Sequence, residues 1–207
     1  MSLIAVVVCP LVNPIALMQN DAMKNIAISV CVILVIFGLS RLLHGRSQKQ
    51  AESKPAPKEV YQGLRDLAFH NSRAKLGLPP TSTPTQPWGV IMDWGVTEGT
   101  ATVVAFSDGN ASVYLSSGGG FIGGASHESI RKAAQRMVAI AAECQPQTRA
   151  TATYPLPERA HVIFYLLTDS GVFTANAPQE ELSSHRHPLS RLGDAGQDII
   201  TQYRLIR

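Results

Sequence analysis

Charge is what this sequence has least of. Asp, Glu, Lys and Arg make up 16% of its 207 residues, where an ordinary soluble domain carries about 25%. The formal net charge is only +3, too small a balance to imply a nucleic-acid partner. Cysteine is scarce as well: Cys9, Cys31 and Cys144 lie far apart and form no CxxC pair. A zinc ribbon, a thioredoxin-type centre and a disulfide framework are thereby excluded. The two tryptophans, Trp88 and Trp94, have no basic patch interleaved with them, as single-strand nucleic-acid binding requires, and are read as core or contact residues. Gly (16) and Pro (13) stay near background, which argues against a collagen-like or wholly disordered chain.

The shortage of charge is local. Residues 26–43 read IAISVCVILVIFGLSRLL, with no charged side chain between Lys24 and Arg41. As a helix this segment spans about 27 Å, close to the hydrocarbon thickness of a bilayer. It is apolar on all sides, unlike an amphipathic core helix. A transmembrane helix is predicted here. Lys24 is the only basic residue before it, whereas Arg41, Arg46, Lys49, Lys54 and Lys58 follow. By the positive-inside rule the C-terminal part lies in the cytoplasm of a protein of the cell (inner) membrane. Residues 1–25 form an apolar segment broken by Pro10 and Pro14, either a second short span or an interfacial stretch. It lacks the basic start of a signal peptide, and Cys9 lacks the small residues of a lipoprotein site. Residues 44–58 carry no large apolar side chain before the domain begins and read as a basic, flexible tether.

Residues 59–207 are expected to form an α+β domain. In 59–75, Val60, Leu64, Leu67 and Ala68 fall at helical spacing, with Arg65, Asp66 and Arg73 between them. After the proline-rich stretch 79–87 the period shortens to that of strands at 88–96, 100–106 and 111–116. The turn Ser107-Asp108-Gly109-Asn110 between the last two is a strong hairpin signal. Residues 126–144 have one broad apolar face and read as a helix capped by Ser126. Residues 161–168 and 172–175 form a second hairpin, and 188–206 a helix firm only from about residue 194 because of Gly193 and Gly196. The predicted order is α-βββ-α-ββ-α, an antiparallel sheet of about five strands. This order is similar to profilin, roadblock and longin folds over about 140 residues, without a diagnostic motif. Roadblock domains place two strands before the middle helix, so the likeness is of element order alone.

No complete catalytic set emerges. Gly118, Gly120 and Gly123 satisfy G-x-G-x-x-G, but the preceding strand belongs to a hairpin and no acid lies about 20 residues on. Residues 119–124 imitate the start of a P-loop, yet Ala125 replaces its lysine. The candidate site is an anion-friendly concavity built from Gly118, Gly119, Gly120, Gly123, Gly124, Ser126, His127 and Arg131 at a helix N-terminus, with Glu128 beside it. Gly124-Ala125-Ser126-His127-Glu128 misses the nucleophile elbow by its last residue, and an assembly with His161 and Asp169 has nothing to fix it. His185-Arg186-His187, with Glu180 and Glu181 nearby, is weak as a metal pair. Asp93 suits a buried catalytic carboxylate or an outward-facing strand residue, and His70 reads as packing or surface. No cofactor, metal site or nucleic-acid partner is expected. The composite expectation is a membrane-anchored, non-enzymatic module that binds a protein partner or itself. The alternatives are an anionic-ligand binding domain or enzyme at the glycine loop, or an accessory subunit of a membrane complex.

Overall fold

The computed structural model describes residues 56–206. The expected apolar segment, the transmembrane helix and all but the last residues of the tether lie outside them. No helix of the described residues is long and apolar enough to cross a membrane.

The described chain runs α1 (Pro57–Phe69), β1 (Gly89–Val96), β2 (Gly99–Phe106), β3 (Ala111–Leu115), β4 (Gly120–Ile122), α2 (Glu128–Cys144), β5 (Arg149–Thr151), β6 (His161–Thr168), β7 (Gly171–Pro178), α3 (Gln179–Ser183) and α4 (Ser190–Leu205). All strands join one antiparallel sheet in the order β4-β3-β2-β1-β6-β7-β5. The α+β class and antiparallel sheet are as expected, but there are seven strands rather than about five. The two extra ones, β4 and β5, have three residues each, too short to show an alternation.

Side chains alternate across the sheet and split the interior in two. On one face Val90, Met92, Val103, Phe164 and Leu166 meet α2 and α4. Two glycines let α4 lie close: Gly196 sits against Met92, and Gly193 faces Leu182. The helix is therefore continuous from Ser190, a correction to the expected late start. Packing of the glycines against the sheet outweighs their low helix propensity. The opposite face carries Ile91, Val104, Tyr114, Tyr165 and Leu167 under α1 and the segment that follows it.

α1 corrects the sequence reading twice. It ends at Phe69 instead of continuing toward Lys75, because the chain turns through residues 72–77 to bring Leu76 and Leu78 onto the second core. Its buried side chains are Tyr61, Arg65 and Ala68, whereas Val60 and Leu67 stay 43% and 67% exposed. A charged residue faces the sheet beside Leu64 and Ala68, while Val60 and Leu67 of the expected apolar stripe face outward. The cause is a polar pairing on β1 and β2, described next.

Candidate functional site

Asp93, in the middle of β1, is fully buried. One carboxylate oxygen accepts hydrogen bonds from Arg65 Nε at 2.9 Å and Nη2 at 2.6 Å. The other accepts the Thr102 hydroxyl at 2.5 Å, and Thr102 in turn bonds to Tyr61 Oη at 2.8 Å. Asp93 and Thr102 are direct cross-strand partners, and Tyr61 and Arg65 are four apart on α1, so the four groups meet by geometry of strand and helix. Arg65 also donates to the Tyr154 carbonyl at 3.0 Å and lies 4.9 Å from the Phe69 ring centroid. No fully buried side-chain nitrogen or oxygen of this cluster lacks a hydrogen bond, the condition under which a buried ion pair specifies one arrangement. Burial pushes the Asp93 carboxyl up, opposed by Arg65 and Thr102. The sequence reading placed Arg65 between the apolar positions of its helix, without a partner; the structure buries it, since the distant Asp93 needs a counter-charge.

Burial raises four tyrosines, Tyr61, Tyr114, Tyr165 and Tyr203. Burial, aided at Tyr165 by the Asp93 charge, raises Tyr165 and Tyr203 from 10 to about 12. Tyr165 Oη donates to the Pro155 carbonyl at 2.5 Å and Tyr203 Oη to the Ala111 carbonyl at 2.7 Å. A raised tyrosine pKa makes folding favour the protonated form, so this stability is present below pH 10 and lost as pH climbs toward 12. Absorbance titration at 295 nm should show these phenols ionising late and together with unfolding. Ionisation at 10 in a still-folded domain would contradict the geometry.

The glycine-loop residues divide between two tasks. Gly118, Gly119 and Gly120 have φ of 107°, 83° and 150° and make the turn and first residue of the β3–β4 hairpin, where Leu115 N–H donates to the Gly119 carbonyl. A side chain at 120 would strike the Val113 carbonyl. Gly123, at φ 76°, turns the chain into a single 3-10 turn spanning Gly124–Ser126. Gly124 packs under Ile130 and the Tyr203 hydroxyl. The cap of α2 is His127, without a side-chain hydrogen bond, and not Ser126. The intervening 3-10 turn moves the serine one residue too early. Arg131 lays its stem over Gly109 and donates to the Ala125 carbonyl at 3.3 Å. Glu128 pairs with Lys132, which holds its carboxyl below the usual range.

The other flagged residues are scattered. Asp169 pairs with Arg73 just past the end of β6, the opposite end of that strand from His161, whose Nδ1 lies against the Arg159 carbonyl. His70 Nδ1 lies against the Asp66 carbonyl in an exposed turn. His185 and Arg186 are exposed and pair with Asp194 and Glu180. No cluster of three metal-ligating side chains occurs among the described residues. Trp88 is buried in the second core and its indole N–H has no partner among the described residues, while Trp94 Nε1 donates to Gln179 at 2.8 Å. Burial raises the Cys144 thiol, away from thiolate chemistry.

Three cavities stand out, none of them lined by residues 118–131. One of about 710 Å³ lies along β7 and the segment 146–155, one of about 420 Å³ between α1 and Tyr154–Leu156, and an apolar one of about 220 Å³ under Trp94 and α4. No family model, no curated protein and no solved structure matches this chain.

Proposed function

We propose that the chain is a membrane-anchored module whose domain, on the cytoplasmic side, docks a protein partner through the α1 side of its sheet. The observation that carries this reading is the contrast between the domain's two outer surfaces. On the α2–α4 side the outward residues are charged and paired: Glu128 with Lys132, Arg136 with Asp198, Glu143 with Arg191. That is how a helix surface meets water. On the α1 side Val60 and Leu67 point outward, and Tyr154, Leu156 and the edge residue Ile122 share that side of the sheet, between 36% and 66% exposed for the latter three. Five of the eight exposed large apolar side chains among the described residues are thus gathered on one side, the distribution that marks an interaction surface rather than scattered exposure.

Chemistry of the domain's own is not required by this reading, nor is the likeness of element order to profilin, roadblock and longin domains. An accessory subunit of a membrane complex is the same proposal with the partner also in the bilayer. The test is purification from native membranes of the wild type, Leu67→Glu and Lys132→Glu. The partner should be lost, by about tenfold or more, with Leu67→Glu and retained with Lys132→Glu. Equal recovery across all three refutes the α1 surface.

A further inference from the structure

The cavity of about 710 Å³ along β7 has a chemistry that the docking surface does not use. Its floor is the α1-side face of β6 and β7, where Arg149, Thr174 and Tyr165 stand in one row: Arg149 is opposite Thr174 on β5, and Tyr165 is opposite Thr174 on β6. Its roof is the crossing segment ending at Pro155, fixed by the Tyr165 hydroxyl. No Asp or Glu lines it. Arg149 is its one permanent charge and has no carboxylate partner among the described residues. The Thr174 hydroxyl, on a residue only 8% exposed, makes no hydrogen bond to a described residue. At the far end His187 Nδ1 accepts the Leu189 N–H at 3.2 Å, which leaves Nε2–H as a donor in the neutral ring.

The backbone adds a directional element. β6 and β7 are joined by the two-residue turn Asp169-Ser170, and Thr168 pairs with Gly171. In such a hairpin every second residue of β7 bonds back to β6 and the others face outward. The outward ones are Val172, Thr174, Asn176 and Pro178. β5 covers only the first two, since its register stops at Thr174 opposite Arg149. Asn176 therefore presents its N–H and C=O at an uncovered sheet edge, and Asn176 lines the cavity. It lies two residues from Thr174, about 7 Å along the strand.

We propose that this cavity binds the free carboxyl end of an extended peptide. The terminal carboxylate sits against Arg149 and Thr174, and the chain runs along β7 so that its backbone pairs with Asn176, with side chains over Ile163. Strand addition supplies the main-chain bonds and a cation captures the terminus, two recognition modes combined in one groove. The volume matches a ligand of about three or four residues. Arg149 and the Thr174 hydroxyl stand side by side with no competing anion, which selects a carboxylate over an amide or an amine.

The experiment is calorimetric titration of the full chain in a nonionic detergent with acetyl-Ala-Val-Ala-Val as the free acid and as its C-terminal amide. The acid should bind about tenfold or more tightly than the amide. Arg149→Gln should bring the acid down to the amide's affinity, while Arg159→Gln, outside the cavity, should leave both unchanged. Asn176→Pro removes an outward N–H at an edge position where proline is tolerated and should weaken acid and amide alike, beyond any effect of Asn176→Ala, which removes the side chain and keeps the N–H. The proposal is overturned if acid and amide bind equally, if Arg149→Gln keeps the difference, or if neither binds at about 1 mM. Because Leu67 is not part of the cavity, Leu67→Glu should bind the acid as the wild type does. Loss of peptide binding in that variant would instead assign the peptide to the α1 surface and overturn the assignment to the cavity.

Discussion

Replacing Arg65 with methionine is expected to destabilise the domain by about 3–5 kcal/mol, the cost of leaving one member of a buried ion pair alone. The magnitude follows from Asp93 being fully buried with two of its three hydrogen bonds coming from Arg65. Trp88 and Trp94, at either end of β1, report the unfolding by fluorescence. The loss has a pH signature. Burial already raises Asp93, and Arg65 supplies the largest pull in the other direction; without it the carboxyl rises further. A raised carboxyl makes folding favour the protonated form, so its stability is complete below the ordinary carboxyl range and declines as pH rises through the raised value. The Arg65→Met deficit should therefore be smaller at pH 5 than at pH 8. A deficit that grows toward acid would show that Asp93 is held ionised by something other than Arg65. Pairing Arg65→Met with Asp93→Leu should recover much of the loss, since an apolar pair of similar volume avoids the unpaired charge.

Gly95→Ala is expected to cost on the order of 3 kcal/mol. Residues 158–160 cross the sheet directly over Gly95, and a Cβ there would run into the Glu158 carbonyl group, backbone that has no rotamer to change. The same crossing donates the Ala160 N–H to the Gly95 carbonyl at 2.9 Å, a bond lost if the segment lifts. Gly63→Ala is the internal control. It lies in α1 with nothing within 4 Å of the added carbon, so it should stabilise by about 0.5–1 kcal/mol through helix propensity alone. Urea unfolding of both variants separates the explanations. Equal effects of the same sign would mean that the crossing is not packed as described.

The parts of the fold that announce themselves in the sequence are those whose cause is local. The turn at Ser107–Asn110 predicts its hairpin because Asp108 closes it from within, accepting the Asn110 N–H at 2.8 Å, with Gly109 at φ 93°. The run VIFYLL predicts β6 to the residue because both faces of that strand are buried. α2 shows its apolar face plainly. β4 and β5 leave no trace, since three residues make no pattern and their positions depend on the strands they join. The rotation of α1 was illegible for another reason. Its apolar stripe, Val60, Leu64, Leu67 and Ala68, argues for one buried face; the partnership of Arg65 with Asp93, 28 residues on, rotates the helix so that Leu64 and Ala68 stay on the core and Val60 and Leu67 turn outward. Asp93 stood out in the sequence as a carboxylate in an apolar strand, yet nothing near it named its partner. The cavity along β7 was missed entirely. Arg149, Thr174 and Asn176 become neighbours only through the register of β5 on β7 and the early end of that ladder.

The strand order also sets a timetable. β1 through β4 form a continuous meander that can close as soon as it is made, but the other side of β1 belongs to β6, which begins about 65 residues later. During synthesis from the N-terminus, the central strand of the finished sheet is for a time an edge strand. Ile91 and Met92 then have no β6 beside them, and the β1 backbone offers a free ladder. A sheet whose two outermost strands have three residues each passes through an intermediate with an edge strand of eight. Its risk of misassembly is concentrated in that interval, before residues 161–168 arrive to close the sheet.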